Sequence, residues 1–211
     1  RGAQVGVERH AEPVVLVHSV NAAASAYELR PLFEACASER PTYALDLPGY
    51  GHSSRDPVRH TAETMTDAVV AVLERSGPAH VVALSLGGEF AARAAVDRPD
   101  LVRSLTLISP TGLSSSARTP RASWVESAFG IPVLGRAAFD LLSTTASIRW
   151  FLSKSFSGEP DPGLIEYAHA TAHRPGAEHA PAAFLSGVLF TSGVFDDLYL
   201  QAPCPMLVLY D

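Results

Sequence analysis

His80-Val81-Val82-Ala83-Leu84-Ser85-Leu86-Gly87-Gly88 is the stretch that decides how this chain is read. His80 to Leu84 is an apolar run rich in valine, which suits a strand covered on both faces. The alanine-rich segment from Gly88 to about Asp97, stopped by Arg98-Pro99, reads as a helix. Between strand and helix the chain must turn within two or three residues. So sharp a turn strains its central residue, and the positions two before and two after must be small to avoid collision. Ala83 and Gly87 meet that demand, in the strand-turn-helix context of a nucleophile elbow. The turn lifts the Ser85 hydroxyl to the rim of a sheet, points a helix amino terminus at it, and lets the backbone N–H of Leu86 face an oxyanion. The usual elbow pattern has glycine where Ala83 stands, alanine being the next smallest residue, and a serine that only caps a helix in a tight turn would show the same short motif. The flanking segments separate the two.

Working outward, short apolar runs alternate with amphipathic segments, the pattern of a parallel sheet wound with helices. Pro13 to His18 (PVVLVH) is a predicted buried strand. Ser25 and Glu28 then have capping-box spacing, with Leu29, Leu32, Phe33 and Cys36 on one stripe of a helix. Thr42 to Asp46 is a short strand leading into a turn-rich loop, Leu47 to Ser54 (LPGYGHSS). A helix from about Thr61 to Ser76 aligns Met65, Ala68, Val69, Val72 and Leu73 and stops at Gly77-Pro78. Leu101 to Ser109 supplies a further strand.

After Pro110 the character changes to Ser114-Ser115-Ser116 and then aromatic residues at helical spacing, a mostly helical insertion over the sheet. Cys204 to Tyr210 (CPMLVLY) returns to a strand. The expected organisation is a core over 1–110, a helical lid over 111–203 and a returning core strand over 204–211.

With 211 residues, 47% hydrophobic and 18% charged, the chain has the composition of one globular domain with a sizeable core. Sixteen basic against 22 acidic residues give a net charge of −6 without any basic cluster, so nucleic acid is not an expected partner. No apolar run approaches a membrane span, and Cys36 and Cys204 form neither a CxxC pair nor a disulfide framework, which points to a reducing cytoplasm. The chain begins at Arg1 without a signal-like leader, and a trimmed start is expected.

Taken together, these segments resemble the α/β-hydrolase family. His18-Ser19-Val20-Asn21 corresponds to its oxyanion loop, usually His-Gly-x; Asp46 to Ser53 (DLPGYGHS) resembles its DxPGxGxS loop; Val82 to Gly88 matches its elbow. The resemblance implies an α/β fold with a mostly parallel sheet and a helical lid. It makes Ser85 the nucleophile and the amides of Val20 and Leu86 the oxyanion hole. Ser19 departs from the family's glycine. Asn21 is a candidate extra donor, although a turn-stabilising amide is its commoner use. His18, His52 and Asp46 are expected to hold loops. Serine at the elbow argues against epoxide hydrolases and haloalkane dehalogenases, which need a carboxylate there.

The family order is serine, acid, histidine. Asp211, a candidate for the acid, stands at the right strand end but a few residues early, and Pro110-Thr111-Gly112 offers no carboxylate at the alternative position. Of the later histidines, His169 and His173 are spaced i, i+4, yet no HExxH pattern or Cys cluster accompanies them, so no metal or cofactor is called for. Losing a triad histidine removes on the order of 10⁶ in turnover. The expectation is therefore a fragment incomplete at its C-terminus and nearly inert alone, from a serine hydrolase of small, moderately apolar ester-like substrates. The alternative is a non-catalytic, ligand-binding relative. The lid aromatics Trp124, Phe129, Trp150, Phe151, Phe156, Phe184, Phe190 and Phe195 suit packing as well as a pocket, so the sequence assigns no substrate-binding residue.

Overall fold

A computed structural model describes residues 11–55, 59–113, 132–155 and 158–210. Strands β1 (Val14–Val17), β2 (Thr42–Leu45), β3 (Ala79–Leu84), β4 (Val102–Ile108) and β5 (Met206–Leu209) form one sheet in the order β2-β1-β3-β4-β5. All four neighbouring pairs are parallel. Helices α1 (Arg30–Ala37), α2 (Ala62–Ser76) and α3 (Gly87–Asp97) connect the first four strands. Between β4 and β5 lie α4 (Pro132–Leu142), α5 (Thr145–Ser155), α6 (Pro162–Ala172) and α7 (His179–Leu185). Among the described residues, no helix is long and apolar enough to cross a membrane.

β1 is buried along its whole length because branched apolar side chains fill both faces of a central parallel strand. α2 is held at its start by Thr61 and Thr64, each hydroxyl accepting from the other residue's backbone N–H. Met65, Val69 and Leu73 follow at successive turns and are fully buried. α3 buries Phe90, Ala91, Ala92, Ala94 and Ala95. Small side chains let it press against the sheet, α2 and the segment before β5.

The predicted capping box at Ser25 is not made. Ser25 precedes a 3₁₀ turn, Ala26–Leu29, without a side-chain cap, and α1 starts only at Arg30 with Pro31 in its first turn. The Glu28 carboxylate that the box required is engaged elsewhere, by the loop after β1. The predicted stripe survives the shift: Leu29 is buried, and Leu32, Phe33 and Cys36 pack with it against Val14 and Leu16.

The chain winds from β1 to β2 in one direction and then from β3 to β5 in the other. The loops after β1 and β3 therefore diverge at the carboxyl rim and leave a crevice between them, the place where such sheets put their sites. In-register pairs Val17↔Leu45, Val17↔Ala83 and Leu84↔Ile108 bring the ends of β2, β1, β3 and β4 to one level there. Trp124, Phe129, Phe156, Ser114-Ser115-Ser116 and Asp211 lie outside the described residues.

Candidate active site

Ser85 leaves β3 with φ of 53°, a left-handed backbone that a residue with a side chain adopts only when its surroundings enforce it. Two backbone bonds do so. Its N–H donates to Ile108 O at 2.9 Å and its carbonyl accepts from Gly88 N–H at 3.0 Å, so strand β4 and the first turn of α3 grip it from both sides. Ala83 is fully buried two residues before. Two residues after, a Cβ on Gly87 would stand 2.4 Å from His18 O. Ser85 is half-buried, and its hydroxyl makes no hydrogen bond to any described residue.

The loop after β1 lies against that turn. His18 is completely buried; its Nδ1–H donates to Ser19 O and its Nε2 accepts from Leu47 N–H at 3.0 Å. Both ring nitrogens are thereby committed, Nδ1 within the β1 loop and Nε2 across to the β2 loop. Ser19 N–H donates to Glu28 Oε2 at 3.2 Å. The Asn21 amide donates to Glu28 Oε1 and Ser19 Oγ, both at 3.2 Å, and its Oδ1 accepts from Ala23 N–H at 2.8 Å. Asn21 thus spends its side chain on its own turn. The N–H groups of Val20 and Leu86 donate to no other described residue, and Val20 is buried.

Asp46 anchors the β2 loop. Its Oδ1 accepts from Ala26 N–H and its Oδ2 from His52 N–H, both at 2.8 Å, with the Tyr167 hydroxyl at 3.4 Å. Gly51, at φ 48°, passes so close that a Cβ there would overlap the Asp46 carboxylate. Burial and the Asp46 charge push the Tyr167 phenol up to about 12. Tyr167 comes from α6, and its ring lies on Tyr27 and against His52. The helical segment is thereby seated on both core loops, with Phe139, Ala172 and Ala177 packed on Ala22 and Ala23.

None of the described histidines hydrogen-bonds to Ser85. His80 sits at the far end of β3, about 17 Å along the strand, where it meets Ser104 and Glu12. The His169 and His173 rings stack on each other, centroids 4.2 Å apart. Among the described residues no group of three His, Cys, Asp or Glu side chains could hold a metal. Of the aromatic residues between β4 and β5, Trp150, Phe151 and Phe195 are exposed, while Phe184 and Phe190 stack together on the core.

Sequence reasoning missed Glu89, in the first turn of α3. It is almost fully buried, accepting from the Thr111 hydroxyl at 2.5 Å and Thr191 N–H at 2.8 Å. The Tyr199 hydroxyl donates to Thr111 O in the same cluster. Burial raises the Glu89 carboxyl above its usual range, against the opposing pull of those donors and of Arg93. An acidic residue in a first helical turn was a visible signal, but it reads as ordinary complement to the helix dipole.

Residues 12–131 match the sequence profile of the alpha/beta hydrolase fold. The chain belongs to that family. A 113-residue stretch is 35% identical to the dihydrolipoyllysine-residue acetyltransferase component of the acetoin cleaving system of Cupriavidus necator, covering 52% of this chain and 29% of that protein. The chain thus spans under a third of that relative's length. A longer alignment, 25% identical over 200 residues, relates 94% of the chain to 71% of the (E)-2-((N-methylformamido)methylene)succinate hydrolase of Acinetobacter baylyi. Among solved structures, wild-type Cfl2 from Burkholderia cenocepacia shares the fold with a TM-score of 0.73 at 21% identity, over 96% of this chain and 73% of its own. The family, the parallel sheet and the strand order are therefore those of an α/β hydrolase.

Proposed function

We propose that the chain is the core of a serine hydrolase in which Ser85 attacks the carbonyl carbon of an ester-like bond in a small, moderately apolar substrate. The observation that carries this reading is the left-handed Ser85 backbone on a strand-to-helix turn, with its hydroxyl free and half-buried. The amides of Val20 and Leu86 would stabilise the oxyanion, each worth roughly 3–4 kcal/mol in the transition state. Asn21 has no role in that hole, since its amide is committed to Glu28 and Ser19. The catalytic acid and histidine are assigned to residues outside those described, Asp211 being a candidate for the acid. The core spans 1–110, the lid 111–203 and the returning strand 204–211, and the half-buried free thiols of Cys36 and Cys204 go with a cytoplasmic setting.

The absence of a hydrogen bond from any described histidine to Ser85 favours a second reading, a non-catalytic relative that binds a ligand under the lid. A fluorophosphonate probe, applied to a protein that carries the assigned acid and histidine, separates the two. Covalent labelling that disappears in Ser85→Ala supports the hydrolase. Labelling that persists in Ser85→Ala removes Ser85 as nucleophile, and no labelling together with no turnover of aryl esters favours the binding protein.

A further inference from the structure

His169 and His173 stand one turn apart at the end of α6, and their rings lie on each other with planes inclined by 35°. Two charged imidazoles at this spacing repel. As neutral rings they offer lone pairs side by side. One bond places a proton: His173 Nδ1 is 2.7 Å from the carbonyl oxygen of His169, and a carbonyl only accepts, so Nδ1–H donates and Nε2 keeps its lone pair. A metal-bound histidine is oriented by the same outer contact, its second ring nitrogen donating to a backbone carbonyl. The ring of His169 makes no hydrogen bond to any described residue. His173 is exposed and His169 half-buried, so an ion can reach both from solvent.

The surroundings suit a cation. His173 is the C-cap of α6, where the last carbonyls carry partial negative charge. Glu166, exposed, precedes His169 by three residues on the same side of the helix. The neighbouring cation, Arg174, is turned towards the β2 loop, where it donates to Gly51 O at 3.0 Å. His169-Ala170-Thr171-Ala172-His173 has the ligand spacing of an HExxH helix, with Ala170 where the general base would stand. The pattern therefore supplies two ligands and no base, which suits holding an ion rather than activating water on it. No third His, Cys, Asp or Glu gathers with them among the described residues, so water fills the remaining positions.

We infer that His169 and His173 together bind one divalent ion of the zinc, nickel or copper class, and that the ion staples the last turn of α6. Imidazole suits these metals, whereas magnesium and calcium prefer oxygen. The stapled turn is the one that seats the helical segment on the core. Within it Thr171 O accepts from Arg55 at 3.0 Å; just beyond it Arg174 reaches Gly51 O; one turn earlier the Tyr167 hydroxyl meets Asp46. An ion that closes the turn tightens all three contacts with the β2 loop. Nothing in this inference requires Ser85 to be a nucleophile, and its test is independent of turnover.

The experiment is thermal unfolding of the full chain in zinc chloride and in magnesium chloride at matched ionic strength and neutral pH, for the wild type, His169→Gln, His173→Gln and His179→Gln. At a zinc concentration tenfold above the dissociation constant, the midpoint should rise by about 4 °C, saturably, and magnesium should not raise it. Amide hydrogen exchange in the last turn of α6 should slow about tenfold at the same occupancy. Both effects should vanish in His169→Gln and in His173→Gln, and at about pH 5, where protons compete for the imidazole nitrogens. They should persist in His179→Gln, which removes an exposed histidine of α7 outside the pair. No rise with zinc, an equal rise with magnesium, or a zinc response that survives in both His169→Gln and His173→Gln overturns the inference.

Discussion

A methyl group placed on Gly87 would stand 2.4 Å from the carbonyl oxygen of His18, so the elbow and the β1 loop meet backbone to backbone. The neighbour is main chain and cannot rotate away. Gly87→Ala should therefore push the β1 loop off the elbow, lowering stability by about 2 kcal/mol in urea denaturation. Labelling of Ser85 should fall with it, because Val20 rides on that loop. A stability unchanged within error would show that the contact is looser than described.

Ser85 itself offers the opposite experiment. A left-handed residue with a Cβ is strained by roughly 1 kcal/mol, and glycine is not. Ser85→Gly should unfold at higher denaturant than the wild type while losing all reaction with a serine-directed probe. Ser85→Ala should lose the reaction and gain no stability. If Ser85→Gly were the less stable protein, the turn would not be holding Ser85 under strain.

The sheet was legible because apolar runs such as Val14–Val17 and Val81-Val82-Ala83-Leu84 leave strands few alternatives, and the elbow because small residues must flank Ser85. What local pattern could not supply was the destination of polar side chains. Ser25 and Glu28 have the spacing of a capping box, yet Glu28 serves Ser19 and Asn21, and helix α1 starts five residues later. Glu89 meets Thr191 across 102 positions of sequence, and Arg55 and Arg174 meet on Gly51 only once the helical segment folds back. Such partners are chosen by tertiary packing, which periodicity does not encode.

Among the described residues, Glu28 is the side chain that accepts from both Ser19 N–H and the Asn21 amide. Removing it frees the turn that presents Val20. Glu28→Ala should cost about 1 kcal/mol of stability but reduce Ser85 labelling at least tenfold, an effect out of proportion to the destabilisation. Glu34→Ala, which removes an exposed ion pair with Arg30 on α1, is the matched control and should change neither. Equal losses in the two variants would assign Glu28 to general stability alone.

The Glu89 carboxyl is raised above its ordinary value of 4.5, chiefly by burial. A carboxyl that ionises less readily folded than unfolded leaves the folded state holding more protons, so its contribution to stability is complete below the ordinary value. That contribution is lost as pH climbs through the raised folded value. Glu89→Gln keeps the shape and cannot ionise, so it should not suffer the loss. The midpoint of Glu89→Gln measured relative to wild type should accordingly climb as pH rises from 4.5 towards neutrality, then level once the folded carboxyl has ionised. The gap at low pH reports the hydrogen bond that the amide makes less well to Thr111 or Thr191 N–H; its change with pH reports ionisation alone. A gap constant across that range would mean that the donors from Thr111 and Thr191, with Arg93, outweigh burial and that Glu89 is charged in the cluster.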